Sequence, residues 1–469
     1  MKLPAYPSYK PTGVEWLGDV PEHWEVKRLK YLSEISTSGV WGEDSDHTES
    51  GYPVATTANI SPSGAIDVAS MHIRALTAEE VRKGLCRPGD IIVVKSSGSA
   101  TSVISGKCAL VRTEHGNICF SNFTLRVRPL ERILHPFFAW SFLSSEVVRA
   151  QVRLMVSTTT YPNLQVPEYV SFLVPQPPPR EQLAIADFLD RETGRIDRLV
   201  GKKRELIERL KEKRAALIAC TVTRGLPPTA ARSASLLENP TFKPSGLDEL
   251  PQIPKDWKVS KVWLERVARN LEYQDGNHGE LHPKAEDYVS DGIPFIMANH
   301  IVAGEIDFTI CNYIEPELAA SLRIGFARTG DVLLTHKGTI GRVGLVQENR
   351  FPYVVLTPQV TYYRFLRNIF GRYLFWFFQG SYWQDQMYLV SSLGTTRGYV
   401  GLLDQRSLNL ILPRFPEQVT IATYLDEETA KLDALVARIE EAIERLREYR
   451  TALITAAVTG KIDVRKTAS

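Results

Sequence analysis

Two stretches of the chain repeat apolar residues at intervals of seven. In the C-terminal stretch Leu425, Leu432, Ile439, Leu446 and Leu453 fall in step, with Leu435 and Ala442 as the expected alternate row. Near the middle, Leu189, Ile196, Leu210 and Leu217 keep the same register, and Lys203 breaks it. A heptad sustained this long predicts a helix packed on another helix. The alternative is that each helix packs on its own lobe. Pro179 and Pro416 stand just before Glu-Gln pairs. There a missing N–H costs little, and an acidic side chain suits the positive end of the helix dipole. Thr193 and Gly194 mark a place for a bend. About 43 residues at ~1.5 Å each give a rod of roughly 60 Å.

The two stretches also align with each other without a gap, from Glu181 and from Glu417, and about half of the positions are identical. A second pair, KPTGVEWLGDVPEHWEV from Lys10 and KPSGLDELPQIPKDWKV from Lys243, matches Trp24 with Trp257. The chain is therefore an internal duplication of entry segment, lobe and helix. The lobes agree less well, but GYPVATTANI matches GIPFIMANHI, and GDIIVV at Gly89 matches GDVLLT at Gly330. The expected domains are an entry segment (1–24), a first lobe (25–175), a central helix (176–225), a linker with the second entry (226–257), a second lobe (258–413) and a final helix (414–469). The Pro-, Ala- and Ser-rich stretch 225–243 reads as an extended crossing.

Each lobe mixes strands and helices, which makes the fold class α+β. IIVVKS, CALVRT and FTLRVRPL are strand-like, as are VLLTH, VGLVQE and VTYYRFL. FFAWSFLSSEVVRAQV and RYLFWFFQGSYWQDQMYL read as helices whose aromatics face a core. Two loop regions carry candidate chemistry. Lys95, Ser96 and Ser97 in one lobe align with His336, Lys337, Thr339 and Arg342 in the other. Hydroxyls, glycines and bases suit close approach to phosphates; an ordinary glycine-rich hairpin is the competing reading. Before each long helix lie Thr158, Thr159 and Tyr161, and Thr396, Arg397 and Tyr399. These are candidate donors to phosphates or base edges, or a turn that ends the preceding helix.

Composition narrows the class. Of 469 residues 43% are hydrophobic and 23% charged, as in globular proteins, and the net charge of +2 neither suggests nor excludes nucleic acid. The five cysteines are odd in number and lack C-x-x-C spacing, which predicts reduced thiols. No metal is expected: His278 and His282 have helical spacing, but Gly279 and Pro283 oppose a helix there. The N-terminus lacks a signal-peptide core and no apolar run is long enough to span a bilayer, so a cytoplasmic protein is expected. There is no phosphate loop, no Asp/Asn-Pro-Pro-aromatic tetrad, no glycine-rich cofactor loop and no G-x-S-x-G elbow. A catalyst complete in one chain is therefore the weaker reading, and a standalone DNA-binding regulator is the other alternative.

The repeated order of these marks resembles the specificity subunits of type I restriction-modification systems. The resemblance rests on the Glu-Gln helix starts and the closing segments ALIACTVTRGL and ALITAAVTGKI. The Gly89-Asp90 and Gly330-Asp331 strand starts and the entries at Pro21 and Pro251–Trp257 add to it. It implies a non-catalytic chain with two target recognition lobes on two antiparallel helices related by a pseudo-two-fold. Each lobe would read half of a bipartite double-stranded DNA site. The helices would set the spacing and dock two methyltransferase subunits, and motor-nuclease subunits would complete the enzyme. No cofactor is implied in this chain; S-adenosylmethionine would sit in the methyltransferase partners. One departure is that the first copy ends Thr223-Arg224-Gly225 where the second has Thr459-Gly460-Lys461.

Overall fold

Each lobe leaves and rejoins its helix through a neck of two strands. Glu25–Arg28 pairs antiparallel with Leu173–Gln176, and Lys258–Lys261 pairs in the same way with Asn409–Leu412. The structure, a computed structural model, describes residues 4–44, 51–61, 63–96, 104–156, 163–278, 282–392 and 398–465. It divides into two units, Met1–Arg204 with Glu440–Ser469, and Glu205–Ile439. The long helices Pro179–Arg224 and Phe415–Val458 contribute to both.

Each lobe is built on a four-stranded antiparallel sheet. In the first unit the order is Ser33–Ser36, Thr124–Pro129, Ile91–Val94, Cys108–Leu110. In the second it is Leu271–Asp275, Val360–Phe365, Val332–Thr335, Val343–Leu345. The Gly-Asp landmarks have a physical basis. Asp90 is buried and receives Arg128 through two bonds of 2.6 and 2.7 Å. Asp331 receives Arg364 in the same fork at 3.0 and 2.7 Å. A buried carboxylate needs such a partner, so the pair persists where the surface around it diverges. A second sheet flanks the first and includes a parallel pair in both units, Val54 beside Cys119 and Phe295 beside Val355.

The expected lobe helices each break in two, Pro136–Leu143 with Glu146–Val156 and Gly371–Gln379 with Ser381–Ser392. Their aromatics pack inward: Phe142, Trp376 and Trp383 are buried. Trp383 stacks on Phe378 with centroids 4.1 Å apart.

The Glu-Gln pairs join entry segment, lobe and helix. Glu181 is buried and accepts from Tyr6 Oη at 2.5 Å and Trp24 Nε1 at 3.0 Å, and His23 Nε2 lies 2.8 Å away. Burial and this carboxylate together hold the Tyr6 phenol well above its usual range. Glu417 accepts from Trp257 Nε1 at 3.0 Å, and burial raises its own pKa. Gln182 donates to Ile133 O and Pro177 O and accepts from His135 N. Gln418 repeats the set with Asn368 O, Pro413 O and Phe370 N.

Within each unit the two long helices run antiparallel. In the first, Gly460 O accepts from Tyr9 Oη near the Glu181 end, while Arg450 meets Asp197 at 3.0 Å further along. In the second, Tyr373 Oη donates to both Val222 O and Ile411 O, and Arg214 meets Asp433 at 3.0 Å. The two Arg–Asp pairs occupy equivalent positions of the repeat. Leu189, Ile196, Leu210, Leu425, Ile439 and Leu453 are buried, while Leu217, Leu432 and Leu446 are half-buried.

Three expectations need correction. The alternate row is not Leu435 and Ala442: Leu435 is 43% exposed, and Ile443, with Val200 and Ile207 of the first copy, is buried instead. The seam steps by four and then three residues from each leucine, which places Leu435 one position off it. The first helix does not break at Gly194 but runs unbroken to Arg224, where Gly225 (φ 91°) ends it as Gly460 (φ 73°) follows the other. Stretch 225–243 is not simply extended. It forms the helix Pro228–Ser233 and buries Leu226 and Ala231 in the second unit's core. Among the described residues no helix is long and apolar enough to cross a membrane.

The corrected seam is testable by urea denaturation. Ile443→Ala is expected to cost about 2–4 kcal/mol, as a buried truncation does, and Leu435→Ala less than about 1 kcal/mol. Equal losses would remove the seam assignment.

Candidate nucleic-acid interface

In both lobes several chain segments converge at one end of the central sheet, and the same backbone bonds hold them. Lys95 N donates to Phe123 O at 2.9 Å, and Lys95 O accepts from Leu164 N at 2.7 Å. In the second lobe His336 N donates to Gln359 O at 3.0 Å and His336 O accepts from Val400 N at 3.0 Å. Thus the loop after the inner strand is fastened to the stretch before the long helix, two regions the sequence singled out separately. A fourth segment arrives through a glycine. A Cβ on Gly39 would lie 2.2 Å from Ser121 O, and one on Gly276 1.9 Å from Thr357 O. Close backbone approach therefore requires glycine at both places.

The candidate residues separate at this edge. Lys337 and Thr339 are exposed on a hairpin, and Tyr399, 44% exposed, bridges to Lys337 through the backbone. Ser96 is half-buried. Lys95 is also half-buried; its Nζ donates to Thr37 O at 2.7 Å, and burial lowers its pKa. Arg342 is exposed but belongs elsewhere: it lines a cleft with Arg214 and Asp433 of the long helices. Ser97, Thr158, Thr159, Tyr161, Thr396 and Arg397 lie outside the described residues.

His336 is not a surface donor. Its side chain is buried, with Nε2 3.1 Å from Pro358 O and Nδ1 2.6 Å from Thr361 Oγ1 and 3.1 Å from Gln405 Nε2. A carbonyl only accepts, so Nε2 carries the proton, and Nδ1 accepts. Tyr399 packs edge-on against the ring, with centroids 5.7 Å apart. The histidine supports the loop that presents Lys337 and Tyr399.

The sequence reading missed an aromatic pair in the first lobe. Trp41 and Phe123 are 42% and 48% exposed and meet edge-to-face at 5.6 Å. The Arg74 guanidinium lies 4.8 Å from the Trp41 ring centre and pairs with Asp44 at 2.6 Å. Phe123 leads straight into a buried strand, so its exposure has no sequence signal. Trp41, set among Gly, Asp and Ser, is the one position where local polarity was a clue. The second lobe has Gln359, exposed, where the first has Phe123. The two lobes thus present different chemistry from equivalent places: an aromatic pair in one, and Lys337, Gln359 and Tyr399 in the other.

Comparison with known proteins agrees with this duplicated frame. No protein-family model matches the chain. It is 21% identical over 460 residues to the type I restriction enzyme MjaVIII specificity subunit of Methanocaldococcus jannaschii, spanning 95% of this chain and 94% of the relative. It is 26% identical over 315 residues to the EcoBI specificity subunit of Escherichia coli, spanning 65% and 62%. The relatives it matches over nearly its whole length are type I restriction enzyme specificity subunits. A chain from a solved type I restriction-modification system shares the fold, with TM-score 0.63, 17% identity and coverage of 94% of this chain and 99% of that one.

Burial lowers the His336 pKa, partly offset by the Asp275 carboxylate 3.5 Å away. The folded value lies below the unfolded one of ~6.5. Stability of the second unit should therefore be full above about pH 6.5 and fall as the pH drops below it. His336→Gln should flatten that slope in pH-dependent melting; an unchanged slope would assign it to other groups.

Proposed function

We propose that this chain is the non-catalytic, sequence-reading subunit of a type I restriction-modification enzyme, with each lobe recognising half of an asymmetric, bipartite double-stranded DNA target. The observation that carries the reading is the contrast between frame and faces. The Gln joints, the Trp–Glu bond, the Gly-Asp strands and the loop fastenings repeat, while the exposed residues at the sheet end differ. A symmetric frame with identical faces would suit a palindrome; unlike faces suit unlike half-sites. Lys337 is placed to neutralise a phosphate, with Tyr399 and Gln359 beside it for base edges. Trp41 and Phe123 offer apolar contact, as to a thymine methyl group.

In this reading the long helices set the spacing of the half-sites and dock two methyltransferase subunits, which bind S-adenosylmethionine and take the target base out of the duplex. Motor-nuclease subunits complete the assembly. A cytoplasmic location follows from that role.

Exchange of residues 25–176 for the lobe of another such subunit is expected to change one half-site of the methylated motif and leave the other intact. Methylome sequencing of cells carrying the assembled enzyme reads this out, and a change in both halves would refute independent lobes. At the level of single residues, Lys337→Ala should lower the slope of log affinity against log salt by about 1. Trp41→Ala should leave that slope alone but cost about 1–3 kcal/mol of discrimination at one base pair. Titration of labelled duplexes at several salt concentrations separates the two effects.

A further inference from the structure

The two copies of the helix-start joint differ at one place. In the first, Tyr6 is buried, donates to Glu181 at 2.5 Å and packs edge-on against Trp24 with centroids 5.7 Å apart. The entry segments keep one register up to that point: Glu22 N donates to Ser8 O at 3.1 Å, and Lys255 N to Thr241 O at 2.8 Å. Two residues before Ser8 stands Tyr6; two residues before Thr241 stands Asn239, which is exposed. Among the described residues the half-buried Glu417 carboxylate has a single hydrogen bond, from Trp257 Nε1. Beside it lies a cavity of about 350 Å³, lined in part by Glu417, Trp257 and Asp256. These are the repeat counterparts of Glu181, Trp24 and His23, the residues that Tyr6 touches in the first copy.

The chemistry left open is specific. Leu226, Ala231 and Leu236 give the cavity an apolar wall, and Leu237 stands exposed at its rim. Burial raises the Glu417 pKa, the Trp257 bond opposes the rise, and the Asp256 charge adds to it. A carboxylate in such a place gains from a further donor. Arg414 already faces Asp256 at 3.7 Å, so a neutral donor suits the site better than a second cation. An apolar wall opposite one free acceptor fits a flat apolar ring with a polar hydrogen at its tip. A phenol has that form, and the first copy shows one in the equivalent place.

We propose that this cavity receives a tyrosine side chain from another polypeptide, with its ring against Trp257 and the leucine wall and its hydroxyl donating to Glu417 as Tyr6 does to Glu181. The inference rests on the joint alone and is independent of DNA reading. Ligand-observed NMR titration of the full chain with p-cresol, the free tyrosine side chain, tests it. Saturable binding with a Kd of about 1 mM is expected for so small a ligand. Toluene, which lacks the hydroxyl, should bind about tenfold more weakly. N-acetyltyrosinamide should compete with p-cresol. Glu417→Gln keeps an acceptor for Trp257 but removes the charge, and should weaken p-cresol about tenfold while leaving toluene unchanged. Asn239→Tyr, at an exposed position, should supply the tyrosine from within the chain and abolish p-cresol binding. No binding of p-cresol, equal binding of toluene, or binding that survives both variants unchanged would overturn the site. Binding of p-cresol without competition by N-acetyltyrosinamide would overturn the tyrosine assignment in favour of a free phenol.

Discussion

A carboxylate beside a buried amide, at the start of each long helix, is the constraint on which the architecture rests; the carboxylate is buried in the first copy and half-buried in the second. Glu181 cannot be enclosed without donors, and the entry segment brings them as Tyr6 and Trp24. Gln182 and Gln418 then fix the backbone that leads into each pair of lobe helices. Three parts of the chain, distant in sequence, are held by two adjacent side chains. Among the described residues the bonds reach backbone atoms and entry-segment rings (Tyr6, His23, Trp24 and Trp257), not the exposed face of a lobe. That face is therefore free to change without loosening the frame.

The seam adds a second constraint. Apolar rows carry most of it, but each unit also places one Arg–Asp pair across the two helices. These pairs are partly exposed and contribute little to stability, on the order of 1 kcal/mol or less. They do discriminate between registers, because a shift of one turn would separate the opposite charges. Apolar packing tolerates slippage; a charge at a seam position does not.

Much of this was legible in the sequence because the chain carries its own comparison. Duplication exposed Glu181, Trp24 and Asp90 as positions where two copies agree, and each proved to be buried and bonded. Periodicity found the leucine row but not its partner row, since Leu435 and Val436 are both apolar and only packing separates them. His336 was misjudged because a polar residue in a glycine-rich loop looks exposed. Its burial depends on Thr361 and Gln405, which are far away in sequence. The exposure of Phe123 was hidden for the same reason: whether an aromatic is covered depends on what the rest of the chain places over it.

The neck strands carry a consequence for inheritance. Glu25–Arg28 and Leu173–Gln176 are joined by backbone bonds, which any sequence able to form a strand supplies, and they place the lobe's first and last residues side by side. A segment of DNA encoding everything between them is a self-contained cassette. Recombination at its two borders would replace a whole lobe and keep the joints that hold it. Under the proposed function, new specificities would arise by shuffling intact lobes, a faster route than accumulating point changes within one.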